Sequence, residues 1–133
     1  MIVDSSAIVG VLLRQAGHEA VLDALDRRSR AAVAAPTLVE TGIVLTARLG
    51  PLGRTLLARF VAESDLVVVP FSDAHWGVAV DAFTRFGKGR HPAALNFGDC
   101  LTYATARLAD EPLLCLGDDF ARTDLTLAPV SEG

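Results

Sequence analysis

Four carboxylate sites stand apart from the other charges of this chain. Asp4 follows Met1-Ile2-Val3 and meets no other charged residue before Arg14. Glu40 is the only charged residue between Ala31 and Ala47, and Asp99 is the only one between Pro92 and Ala106. Asp118 and Asp119 come directly after the apolar Leu113-Leu114-Cys115-Leu116 and Gly117. An ionised carboxylate in apolar surroundings needs a compensating partner, because burying it alone costs several kcal/mol. Taken one at a time, each acid has an ordinary explanation. Asp4 and Asp118 could cap helices or stabilise turns, and Glu40 could pair with an arginine. Four such sites, two of them at expected strand ends, are harder to explain separately. Carboxylates converging at one place repel one another unless a hard cation sits among them. Mg²⁺ or Mn²⁺ suits oxygen ligands and commonly keeps several waters. A site of that kind can generate hydroxide near neutral pH and stabilise a pentavalent phosphate.

The elements that must bring these acids together can be read from the pattern around them. Ile2 and Val3 favour a strand, so Asp4 falls where a strand ends and a helix begins, with Ser5 or Ser6 placed to cap that helix. Helical periodicity covers Ala7 to Leu13 and, after Gly17, His18 to Arg30. Ala31 to Ala35 reads as a second strand. Pro36 opens a helix that Gly50 and Pro51 stop, and another amphipathic helix runs from about Arg54 to Glu63. Leu66 to Val69 is a clear strand closed by Pro70. Ser72 caps a helix reaching about Phe86, and Asn96 caps the helix that carries Asp99. Leu113 to Leu116 and a short stretch near Leu125 to Ala128 supply the last strands. Strands alternating with helices predict a single α/β domain over residues 1–133, with a mostly parallel sheet of four to five strands and helices on both faces. In such sheets, sites form at the carboxyl ends of the strands.

Composition narrows the function. The 133 residues suffice for one core, and 51% of them are hydrophobic. Mean hydropathy is +0.40, a surplus that another subunit or partner commonly covers. No uncharged run is long enough to span a bilayer and no basic leader opens the chain, so the expectation is a cytoplasmic protein without a membrane segment. Cys100 and Cys115 lie among apolar neighbours and read as buried free thiols of a reducing compartment. Trp76 and Tyr103 read as core aromatics. The net charge of −4 argues against a nonspecific nucleic-acid coat, yet it allows a local basic patch beside a cation-bridged site.

The order and spacing of these segments resemble the PIN-domain ribonucleases, in particular the VapC-type toxins of bacterial toxin–antitoxin pairs. The resemblance rests on Met1-Ile2-Val3-Asp4-Ser5-Ser6-Ala7, Ala35-Pro36-Thr37-Leu38-Val39-Glu40, Leu95-Asn96-Phe97-Gly98-Asp99-Cys100, and Gly117-Asp118-Asp119-Phe120 with Thr123-Asp124. The loop Phe86-Gly87-Lys88-Gly89-Arg90-His91-Pro92 also looks like one branch of that family. The resemblance implies a Mg²⁺-dependent (or Mn²⁺-dependent) endoribonuclease with Asp4, Glu40, Asp99 and Asp118 as its acids. Asp4 and Asp99 would hold the metal, and Asp119 is the alternative fourth acid. Ser6 matches a position beside the site that can hold a metal-bound water. Lys88, Arg90 and His91 are candidate contacts to the RNA backbone, set against the plainer reading of a mobile solvated turn. The implied partners are an RNA substrate and a cognate antitoxin, with a homodimer joining that antitoxin in a hetero-oligomer.

Other functions fit less well. Haloacid-dehalogenase-like phosphatases need a second aspartate two positions after the first, and that position here is Ser6. Receiver domains carry a phosphoacceptor aspartate after a mid-chain strand, whereas Leu66 to Val69 ends in Pro70 with no acid until Asp73. A non-toxin PIN nuclease, or a PIN fold that binds RNA without cutting it, is the nearer alternative.

Overall fold

The apolar starts and small-residue segments fold into ten regular elements, seen in a computed structural model that describes residues 1–27 and 30–130. In chain order they are β1 (Ile2–Val3), α1 (Ser5–Leu12), α2 (His18–Arg27), β2 (Ala32–Ala34), α3 (Ala35–Leu49), α4 (Leu52–Glu63), β3 (Val67–Val69), α5 (Asp73–Phe86), α6 (Phe97–Ala109) and β4 (Leu113–Leu114). A single 3-10 turn follows at Phe120–Arg122. The strands make one sheet in the order β3-β2-β1-β4, and every pairing is parallel. Ile2 stands between Ala32 and Leu113, and Val3 beside Leu114.

Successive strand residues point to opposite faces, and the core divides accordingly. Val3, Val33 and Leu114 pack with Ile8, Val21, Leu45, Leu57 and Phe60 beneath α1–α4. Ile2 and Leu113 pack with Ala82, Phe86, Leu95, Tyr103 and Phe120 on the side of α5 and α6. Helices therefore cover both faces. Thr37 and Thr102 meet hydroxyl to hydroxyl at 3.3 Å in the buried contact between α3 and α6, the two helices that carry Glu40 and Asp99.

Several local expectations change. The helix expected to reach Arg30 is seen to Arg27, and residues 28 and 29 lie outside the described residues. The strand expected at Leu125 to Ala128 shrinks to one parallel bridge between Leu113 and Leu127. Neither serine caps α1. Asp4 does so itself, accepting the Ser6 N–H at 3.0 Å, because its β-region backbone leaves the carboxylate over the open first turn. Trp76 is not a core residue. It is 61% exposed and its indole N–H is taken by Asp73, whereas Tyr103 is buried as expected. Both cysteines are free, Cys100 buried and Cys115 half-buried. Among the described residues, no helix is long and apolar enough to cross a membrane.

Candidate active site

The parallel pairing of β1 with β4 sets the geometry. Both strands run out at the same edge of the sheet, so Asp4, the first residue beyond β1, lies beside the segment leaving β4. Asp4 is 3% exposed. Its position is locked by the backbone, since its own N–H donates to Leu114 O at 2.9 Å while its carboxylate caps α1. The Ser6 hydroxyl accepts the Leu116 N–H at 3.0 Å. That bond ties α1 to the end of β4 just before the acidic turn.

α3 begins directly on the last residue of β2, with Pro36 in its first turn, and this places Glu40 one turn further along. The Glu40 carboxylate lies against the backbone of Gly98, so close that a Cβ at residue 98 would collide with it. The glycine before Asp99 is thus the space that Glu40 occupies. Asp99 is the third residue of α6 and completes a capping box with Asn96. The Asp99 carboxylate accepts the Asn96 N–H at 3.0 Å, and the Asn96 side chain accepts the Asp99 N–H at 2.9 Å.

Several of these acids lie near enough to act on one another's charge. Asp99 is pushed up to about 6, first by burial and then by the charges of Asp4, Asp119 and Glu40, against the lowering effect of its Asn96 bond. The Cys115 thiol, at the end of β4, is pushed up to about 12 by burial, with Asp4, Asp119, Asp99 and Asp118 adding to it in that order. Among the described residues, none of Asp4, Glu40, Asp99, Asp118 and Asp119 forms an ion pair with a basic side chain. The arginine partner considered for Glu40 is absent from that set. Uncompensated charge of this kind is what a divalent cation neutralises. The acids do not form a closed cage, because among the described residues no three His, Cys, Asp or Glu side chains are grouped tightly enough to hold an ion. The donors present are carboxylate oxygens, the ligand type that a hard cation such as Mg²⁺ takes one or two at a time while keeping waters.

The basic loop is ordered by its own backbone. Lys88 N–H donates to Leu95 O at 2.9 Å, and Leu95 N–H donates to Phe86 O at 3.0 Å. Arg90 and His91 both donate to Gly87 O, at 3.0 and 3.1 Å. Lys88 and Arg90 are exposed, and the loop runs straight into Asn96 and the start of α6. His91 sits edge-on to Phe86, and its Nδ1 accepts the Ala93 N–H at 3.0 Å. That bond fixes the proton on Nε2, which leaves the ring a donor at its free edge. Arg122 was not among the residues expected to matter. Its guanidinium donates to Pro92 O at 3.2 Å, joining the acidic turn to the basic loop.

Comparison with known proteins places the chain. The PIN domain model matches residues 1–125, and ribonuclease VapC36 of Mycobacterium tuberculosis is 49% identical over 126 residues, 94% of this chain and 91% of that relative. The chain belongs to the PIN-domain VapC ribonucleases. The fold agrees with solved members. The crystal structure of Mycobacterium tuberculosis VapC20, a sarcin–ricin-loop-cleaving toxin, matches with a TM-score of 0.78 over 96% of this chain and 98% of that one, at 17% identity. VapBC2 from Rickettsia felis, solved bound to a promoter DNA fragment, matches with a TM-score of 0.72 over 95% of this chain and 94% of that one, at 13% identity.

Proposed function

We propose that this protein is the toxin of a type II toxin–antitoxin pair and hydrolyses RNA at the carboxylate cluster with a bound Mg²⁺ or Mn²⁺. The observation that carries the reading is the set of mutually repelling carboxylates at the carboxyl edge of a parallel sheet, with no basic side chain among the described residues to neutralise them. Asp4 and Asp99 would hold the ion, each keeping one carboxylate oxygen on a backbone N–H that fixes its direction. A divalent ion held there would supply a water of lowered pKa and positive charge opposite the phosphate. Glu40 and the fourth acid act at longer range, orienting water and accepting its proton. Asp119 suits that fourth role better than Asp118, because its charge raises both Asp99 and Cys115, whereas Asp118 is the weakest of the charges acting on Cys115. The Ser6 O–H, with its oxygen already accepting from Leu116, remains free to donate to a water beside Asp4.

Lys88 and Arg90, with the Nε2–H of His91, hold the RNA backbone on the α6 side of the cluster through phosphate contacts that position a strand without reading its sequence. A cognate antitoxin would cover apolar side chains left open on the surface, such as Val39 and Ile43 on α3, which are 62% and 65% exposed. It would also present an arginine to Asp4, Glu40 and Asp99, since a guanidinium fork suits clustered carboxylates. The free toxin would form a homodimer, which joins the antitoxin in a hetero-oligomer. The test is growth of cells expressing this chain alone, with its upstream neighbour, and as Asp4→Ala. Arrest by the chain alone, relieved in both other cultures, is expected. Equal growth in all three would overturn the toxin reading and favour a non-toxin PIN nuclease or an RNA-binding module.

A further inference from the structure

We propose that Asp124, outside the carboxylate cluster, is a positioning residue of the nuclease site that holds the Asp119 turn in place from the flank of α6. The inference rests on the nuclease reading above. The segment from Gly117 to Asp124 has little backbone structure of its own. Its regular structure is the single 3-10 turn Phe120–Arg122, bordered by the bonds Ala121 N–H to Asp118 O at 3.2 Å and Thr123 N–H to Phe120 O at 3.1 Å. Gly117 adopts φ +91°, and residues 117–119, 121, 122 and Asp124 itself are exposed. A segment so poor in regular bonds keeps its shape through side chains.

Those side chains converge on Asp124. Phe120, 3% exposed, plugs the segment into the core. Beyond it, Asp124 accepts the Tyr103 O–H at 2.6 Å and pairs with Arg85 at 3.2 Å and Arg107 at 3.6 Å. Burial alone would raise the Asp124 carboxyl, but the Tyr103 hydroxyl and the two arginines outweigh it and hold the group below its ordinary value. Its charge is therefore satisfied, and it is no further acid of the cluster.

The fixed end of this tether explains its reach. Tyr103 is 2% exposed, packs its ring 5.8 Å from that of Phe86, and lies four residues after Asp99 on α6. Residues four apart share a helix face. One rigid helix thus carries both Asp99 and the hydroxyl that anchors the chain following Asp119. Arg122 adds a second fastening on Pro92 O. Loosening Asp124 would leave α6 intact while letting Asp119 drift away from Asp99.

The experiment compares Asp124→Ala and Tyr103→Phe with wild type, each alone and combined with Asp119→Asn. Tyr103→Phe keeps the ring and removes only the tethering hydroxyl. Mn²⁺ affinity by calorimetry, amide exchange at Ala121 and Thr123, and kcat and KM on a single-stranded RNA are measured. The expected result is roughly a tenfold loss of Mn²⁺ affinity and of kcat with unchanged KM, the scale of losing a supporting contact behind a ligand, together with faster exchange in the turn. In the Asp119→Asn background neither substitution should weaken Mn²⁺ binding further. Unchanged Mn²⁺ affinity in both single variants would overturn the proposal, as would an equal loss with or without Asp119. The Mn²⁺ readout decides the positioning role even where wild type cuts no RNA, which would count against the nuclease reading alone.

Discussion

Asp99→Asn separates what the site costs the fold from what it gives the reaction. The side chain keeps its shape, and the amide oxygen can still accept the Asn96 N–H that the carboxylate accepts at 3.0 Å. What disappears is a charge crowded by Asp4, Asp119 and Glu40. Asp99 is raised from 3.8 to about 6, and at about 1.4 kcal/mol per pKa unit that shift sets a ceiling of about 3 kcal/mol on the cost of keeping it ionised. Because Asp99 is only half-buried, solvent screening reduces the usable part to about 1 kcal/mol. A raised acid in the folded state destabilises it fully above about pH 6, and the cost is relieved as the pH falls through 6 toward 3.8. Metal-free wild type should therefore gain stability from pH 7 to pH 5, and the Asn variant should lack that component. At pH 7.5 without metal the variant should melt about 3 °C higher. Metal should stabilise wild type strongly and the variant weakly, and RNA cleavage should fall by about a hundredfold or more. Calorimetric melting across pH, with and without Mg²⁺, and a cleavage assay read these effects together. A variant that cuts RNA at the wild-type rate, or that melts lower than wild type without metal at pH 7.5, would refute the assignment.

Two further substitutions probe the surroundings. Replacing Lys88 and Arg90 with Ala should weaken RNA binding and lower its salt dependence by about two phosphate contacts while leaving Mn²⁺ affinity unchanged; a wild-type salt slope would show that this loop does not touch the backbone. Gly98→Ala should displace the flexible Glu40 carboxylate from the space it fills, costing kcat about tenfold with a small change in melting temperature; full activity would mean that Glu40 works from elsewhere.

The fold was legible because its signals are local and agree with one another. The short apolar starts at Ile2 and Leu113, the proline opening α3 and the asparagine capping α6 each match the element they predict. The expected strand near Leu125 failed for a physical reason. Its two backbone bonds, Leu113 N–H to Thr126 O at 2.9 Å and Ala128 N–H to Leu113 O at 2.7 Å, make one parallel bridge with a β4 only two residues long, and β-propensity does not tell a bridge from a ladder. Trp76 failed for another. Its face of α5 carries Val80 and Phe83, both also exposed, and helical periodicity marks an apolar stripe without saying whether this chain or another molecule covers it. In the site, isolation among apolar neighbours marked Asp4, Glu40 and Asp99, because an unpaired charge in a core element is visible in one dimension. The acidic pair at 118–119 could not be resolved in that way. Adjacent residues have the same neighbours in sequence, and only the path of the chain after Gly117 makes their charges act differently on Asp99. The same limit hid the contacts of Arg122 and of Asp124, although Thr123-Asp124 is among the segments that carry the family resemblance. Each looks like an ordinary surface charge until the turn brings it to Pro92 or to Tyr103, and isolation among apolar neighbours, which marks Asp4, Glu40 and Asp99, marks neither of them.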